Sequence, residues 1–139
     1  MKKMILFFTV ALFGMASFAQ NSAPVAKVEL VKFKETTYNF GKIKQGVPVT
    51  HDFAFSNVSE KAVVVETATP SCGCTTPVWP QAPVAKGKAD KITAGFNAAA
   101  PGPFTKTISV KLLGQNEPVV ITITGEVLSA EEYAKLKKS

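Results

Sequence analysis

Two features of the chain predict an all-β fold. From Thr37 to Leu128, short runs alternate apolar and polar side chains with a two-residue period, and glycine, proline or asparagine punctuates them. No internal stretch carries the 3.6-residue period of an amphipathic helix. Strands with one apolar face need a second sheet to cover it. The expected architecture is therefore an antiparallel β-sandwich of immunoglobulin-like type, with about seven strands and a short helical tail. The usual disulfide between the sheets is excluded, because the only two cysteines, Cys72 and Cys74, have a single glycine between them.

Taken in order, residues 1–19 have the three-part layout of a secretory signal peptide. Lys2 and Lys3 are followed by the apolar run Met4 to Phe13, then by small residues ending at Ala19. The apolar run is well short of the roughly 20 residues that span a bilayer, so no transmembrane segment is expected after cleavage. Residues 20–27 read as a polar leader, and residues 28–128 as one domain, large enough to hold a real core. An extended segment begins at Val28 and is closed by Gly41. Val49 to Asn57 is a strand with Val49, Phe53 and Phe55 on one face. Ala62 to Thr69, with three consecutive valines, is the next, and the two read as a hairpin.

Pro70 to Gly87 contains four prolines, so it cannot be an interior strand. It is read as a long loop with at most a short edge segment. Beyond it, Ile92, Ala94 and Phe96 form one inward set, Phe104, Ile108, Val110 and Leu112 a second, and Val119, Ile121, Ile123 and Val127 a third. The tail over 129–139 changes period. Ser129 and Glu132 fit a capping box, acids stand in the first turn and lysines in the last.

The formal charge is +6, carried by lysine with no arginine. Those lysines are scattered rather than clustered, and nucleic-acid readers lean on arginine for bidentate contacts, so a nucleic-acid partner is not expected.

Chemistry, if any, must pass through Thr69 to Trp79, which reads Thr-Pro-Ser-Cys-Gly-Cys-Thr-Thr-Pro-Val-Trp. Cys72 and Cys74 are close enough to bridge, with Gly73 free to take unusual dihedrals. Such a small ring adds little stability and is easily reduced. The first reading is a disulfide or thiol pair that fixes the loop. Thiol exchange is an alternative, but it needs a cation or helix N-terminus beside one sulfur, and the loop has no adjacent lysine. A soft metal such as copper(I), held by Cys72 and Cys74, is the other; otherwise no cofactor is expected. His51 shares strand parity with Phe53 and Phe55, which places it at the core edge. Asp52 falls on the opposite face, so no catalytic group is assigned. Trp79 is either a ligand platform or a plug pinning the loop, the latter being favoured. Thr75 begins a turn or strand. Asn57-Val58-Ser59 matches a glycosylation acceptor formally, and Asn57 is read as the residue ending its strand.

Several of these segments together resemble the DUF1573 family. They are Tyr38-Asn39-Phe40-Gly41, Phe53-Ala54-Phe55-Ser56-Asn57, Ser71-Cys72-Gly73-Cys74-Thr75-Thr76-Pro77 with Trp79, Phe104-Thr105-Lys106, and Ile121 to Val127 around Gly125. The resemblance implies an exported bacterial protein of the kind common in Bacteroidetes, with an immunoglobulin-like fold related to major-sperm-protein and ASH-type domains. Lys86 departs from it, standing where the family usually has a proline before Gly87. The resemblance implies no established activity. The expectation is a non-enzymatic module, in the periplasm or secreted to the cell envelope, acting through protein or envelope contacts. The alternative is a periplasmic thiol-redox or copper-binding protein.

Overall fold

The computed structural model describes residues 29–138; the signal peptide and leader expected over 1–27 lie outside them. In chain order the elements are β1 (Val31–Phe33), β2 (Thr37–Lys44), β3 (Val49–Asn57), β4 (Val65–Pro70), β5 (Thr75–Val78), β6 (Ala89–Phe96), β7 (Gly102–Leu112), β8 (Val119–Leu128) and α1 (Ala130–Lys138). They build two four-stranded sheets, ordered β1-β3-β6-β5 and β2-β8-β7-β4, around one apolar core. This is the expected immunoglobulin-like sandwich, with eight strands.

Alternation identified the core directly. Phe53, Phe55, Ile92 and Ala94 come from one sheet, and Ile108, Val110, Leu112, Ile121 and Ile123 from the other. Each is at most 2 % exposed. Burying each large side chain is worth about 1.5–3 kcal/mol.

Pairing departs from the sequence reading in two places. The segment closed by Gly41 is in fact two strands in different sheets. β1 pairs with β3, while β2 pairs with β8 and runs parallel to it. The chain changes sheet at Lys34–Thr36 without turning back, so one pair in an otherwise antiparallel sheet is parallel. Gly41 does not end the strand. It sits inside β2 at φ +67°, where the register with β8 shifts, and its N–H donates to Asn39 Oδ1 at 2.8 Å. This is a bulge of the kind that favours glycine.

Second, β3 and β4 do not form a hairpin. β3 lies between β1 and β6, and β4 pairs with β7 in the other sheet. Where the chain leaves β3, the turn is braced by Asn57, which is buried. Its Nδ2 donates to the carbonyls of Lys61 (2.7 Å) and Val84 (2.8 Å), and its Oδ1 accepts from the N–H and hydroxyl of Ser59. The chain is thereby turned away from β3. Val63 then exchanges two backbone hydrogen bonds with Val84, so this stretch is spent crossing between sheets.

The turn bearing Lys86 closes with Gly87 at φ +73° and Lys88 N–H donating to the Ala85 carbonyl. The Lys86 ammonium pairs with Glu60. A lysine in place of proline is tolerated because its side chain points out to a carboxylate.

The tail is helical, as the capping box predicts. Ser129 N–H and hydroxyl both donate to Glu132 Oε2, and Glu132 N–H donates back to Ser129 Oγ. The helix lies against the ends of β2 and β8 and buries none of its residues. No described helix is long and apolar enough to cross a membrane.

Candidate functional site

The Cys-Gly-Cys segment is the crossing between the two sheets at one side of the sandwich, from edge strand β4 to edge strand β5. Both flanks are anchored. Ser71 N–H donates to the Thr107 carbonyl at 2.8 Å, and Thr107 N–H donates to Ser71 Oγ at 3.1 Å, which extends the β4–β7 ladder by one residue. On the far side, Asn97 N–H donates to the Cys74 carbonyl at 3.1 Å, which extends the β5–β6 ladder. A tight turn is left between them, closed by Thr75 N–H donating to the Cys72 carbonyl.

Within that turn Cys72 and Cys74 have their Cα atoms 5.3 Å apart and their sulfurs bonded. Gly73 faces open space: a Cβ there would have nothing within 4 Å. Thr75 is buried beneath the ring, its hydroxyl 3.6 Å from Cys72 Sγ and 4.0 Å from Cys74 Sγ. A hydroxyl so placed can donate to either sulfur.

The two sulfurs have different surroundings. Cys74 packs against the core and lines a cleft of about 180 Å³ between the turn and the β6–β7 connection. Phe96 and Phe104, stacked 4.1 Å apart, form its apolar wall. Asn97, the run from Ala99 to Pro103, and Lys106 complete it. The connection is firmly held: Ala98 is fully buried at φ 51°, its carbonyl accepts from Gly46 N–H, and Gln45 Nε2 reaches the Ala99 carbonyl. A non-glycine residue in that region of dihedral space persists only when its surroundings enforce it.

The loop has no adjacent lysine in sequence, but the fold brings Lys106 of β7 to the cleft that Cys74 lines. It is 32 residues from Cys74 in sequence, yet both line the same cleft. The signal was present in the alternation of β7. Lys106 has the parity of Phe104 and Ile108, both buried, so it points between the sheets rather than outward.

The other candidates lie elsewhere. Trp79 is half-buried against the core just past β5. His51 stacks on Tyr38 at 3.5 Å, stands edge-on to Phe53, and meets Glu35 Oε1 through Nε2 at 2.7 Å. Asp52, on the outer face, accepts from Lys91 Nζ and Thr93 Oγ1, each at 2.6 Å. Those two hydrogen bonds hold its carboxyl below the ordinary value of 3.8. Among the described residues no group of three or more histidine, cysteine or acidic side chains is placed to hold a metal, so copper would rest on Cys72 and Cys74 alone. Asn57 is the polar residue whose importance the sequence understated. Both N–H groups of its amide are engaged inside the protein, as befits a structural hub rather than a glycosylation acceptor.

An immunoglobulin-like sandwich with a bridged turn closing one side is the class defined by these features. Residues 31–127 match the family described as a protein of unknown function (DUF1573), and the chain belongs to that family. No curated protein matches the sequence. Among solved structures, the fold is similar to a protein of unknown function from Porphyromonas gingivalis W83 (13 % identity, TM-score 0.60, covering 78 % of this chain and 51 % of that one). It is also similar to the ASH/PapD-like domain 7 of human CEP192 (11 % identity, TM-score 0.57, covering 93 % and 99 %). A third likeness is to the Vibrio cholerae VesB protease (13 % identity, TM-score 0.55, covering 70 % and 32 %). The chain thus spans about half of the first protein and a third of the last, and at these identities the likeness is one of fold.

Proposed function

We propose that this is an exported module that works through protein or cell-envelope contacts, using the outer face of the β2-β8-β7-β4 sheet. The observation that carries this is the composition of that face. Register aligns Thr37, Thr122 and Thr107 across three strands, Asn39, Thr124 and Thr105 in the next row, and Val120, Ser109 and Thr69 in another. No charge falls in these rows, although the chain carries +6. Lys111 and Glu66 pair with each other at 2.9 Å, and Lys111 stands opposite Thr67, beyond those rows. Hydroxyls are far cheaper to dehydrate than charges, and depletion of charge marks the centre of protein contact surfaces.

The test is a Thr105→Lys, Thr122→Lys double variant, compared with wild type for co-purification from the cell-envelope fraction. Loss of the associated material with an unchanged melting temperature supports the contact face. Undiminished association of the folded variant contradicts it.

A further inference from the structure

We infer that the Cys72–Cys74 pair is a thiol–disulfide exchange site that oxidises the dithiol of a client protein, with Cys72 the sulfur attacked and Cys74 the leaving sulfur. The outer face of the β2-β8-β7-β4 sheet plays no part in this. Three observations combine. The two-residue separation of the cysteines encloses too short a loop to be kept for fold stability. The side of the ring at Gly73 is open, while Cys74 faces the cleft and Cys72 does not line it. And Lys106 points between the sheets into that cleft with no ion-pair or hydrogen-bond partner among the described residues. A cation beside a sulfur favours the thiolate, and the sulfur that leaves most readily is the one whose thiolate is most stable.

The exchange then runs in one direction. A client thiolate attacks Cys72 Sγ. The bond between Cys72 and Cys74 breaks, a bond between the client and Cys72 forms, and the electron pair leaves on Cys74, in the cleft that Lys106 also lines and 4.0 Å from the Thr75 hydroxyl. The client's second thiol gives its proton to water, and its sulfur attacks the client sulfur held on Cys72. Cys72 departs as a thiolate and takes up a proton. The client dithiol is now a disulfide, the protein holds two thiols, and two electrons have passed to it. A low-molecular-weight disulfide such as oxidised glutathione restores the pair by the reverse exchange. Because Ser71 and Cys74 are tied to β7 and β6 through the backbone, the turn keeps its place when the bridge opens.

The experiment uses the whole mature protein. Oxidised protein is mixed with reduced glutathione, quenched in acid, and the adduct mapped by mass; the expected adduct is on Cys72, and one on Cys74 overturns the assignment. Mixing with a short peptide bearing two cysteines should convert one peptide to its disulfide per protein reduced, and a bridge that this peptide leaves intact overturns the proposal. In the reduced protein, alkylation of Cys74 by iodoacetamide is followed against pH. Lys106→Gln should slow it about tenfold at neutral pH and move its profile upward, while Lys106→Arg keeps the wild-type profile and Cys72 changes little. Identical Cys74 profiles in wild type and in folded Lys106→Gln would remove Lys106 from the site.

Discussion

Asn57 shows how much one buried amide can determine. It satisfies two carbonyls and two donors at the point where the chain leaves β3. Asn57→Ala should cost about 2–4 kcal/mol in a denaturant melt, since it strands buried groups as well as deleting bonds. Ser59→Ala, which leaves the amide its other partners, should cost about 1 kcal/mol. Gly125 is fixed by contact instead of conformation. A Cβ there would lie 2.8 Å from two ring carbons of Phe104 and 2.9 Å from the Gly41 carbonyl oxygen. Gly125→Ala should therefore destabilise by about 1–3 kcal/mol. Because the Gly41 oxygen is backbone, trimming Phe104 would relieve only part of the clash. The inward residues were legible in the sequence, since a two-residue period reports directly which side chains are buried. Asn57 was legible only as a strand end, because its partners at Lys61 and Val84 come together through folding. The same holds for Lys106: its inward parity can be read from β7, its place in the cleft that Cys74 lines cannot.

Among the elements, the strands were readable and their sheets were not. Alternation says which face of a strand is buried and is silent on which sheet it joins, so β3 and β4 looked like a hairpin. The edge strand β5 carries its own protection. Asn97 N–H meets the Cys74 carbonyl, and the ladder's two-residue repeat then gives the bonds toward β6 to Thr76 and Val78. Pro77 falls on the outward side, where a free N–H would invite pairing with another chain. Pro77→Thr should raise self-association, seen as a concentration-dependent shift in sedimentation. The helix α1 depends on its cap, having no buried residue. The Glu132 carboxyl is held below its ordinary value of 4.5 by hydrogen bonds from the hydroxyl and then the N–H of Ser129. A depressed acid stabilises the folded form above its ordinary value, and that contribution fades as pH falls through the lowered one. Amide exchange in 130–138, measured relative to the core strands, should therefore quicken below about pH 4.5, and Glu132→Gln should bring much of that loosening to neutral pH.

Over the whole molecule, stability and function sit in different places. The core of the two sheets holds the fold, so reduction of Cys72–Cys74 should lower unfolding free energy by less than about 2 kcal/mol. A larger loss would make the bridge a structural staple. The uncharged threonine rows lie on the outside of one sheet, and the other sheet's outer face is centred instead on the Asp52, Lys91 and Thr93 cluster. That contrast makes the contact face directly measurable. A photo-crosslinking residue placed at Thr105, on the hydroxyl face, should capture an envelope component in intact cells, and the same residue at Ala54, on the opposite outer face, should capture none above background. Equal capture from both positions, or capture from Ala54 alone, would contradict the assignment of that face.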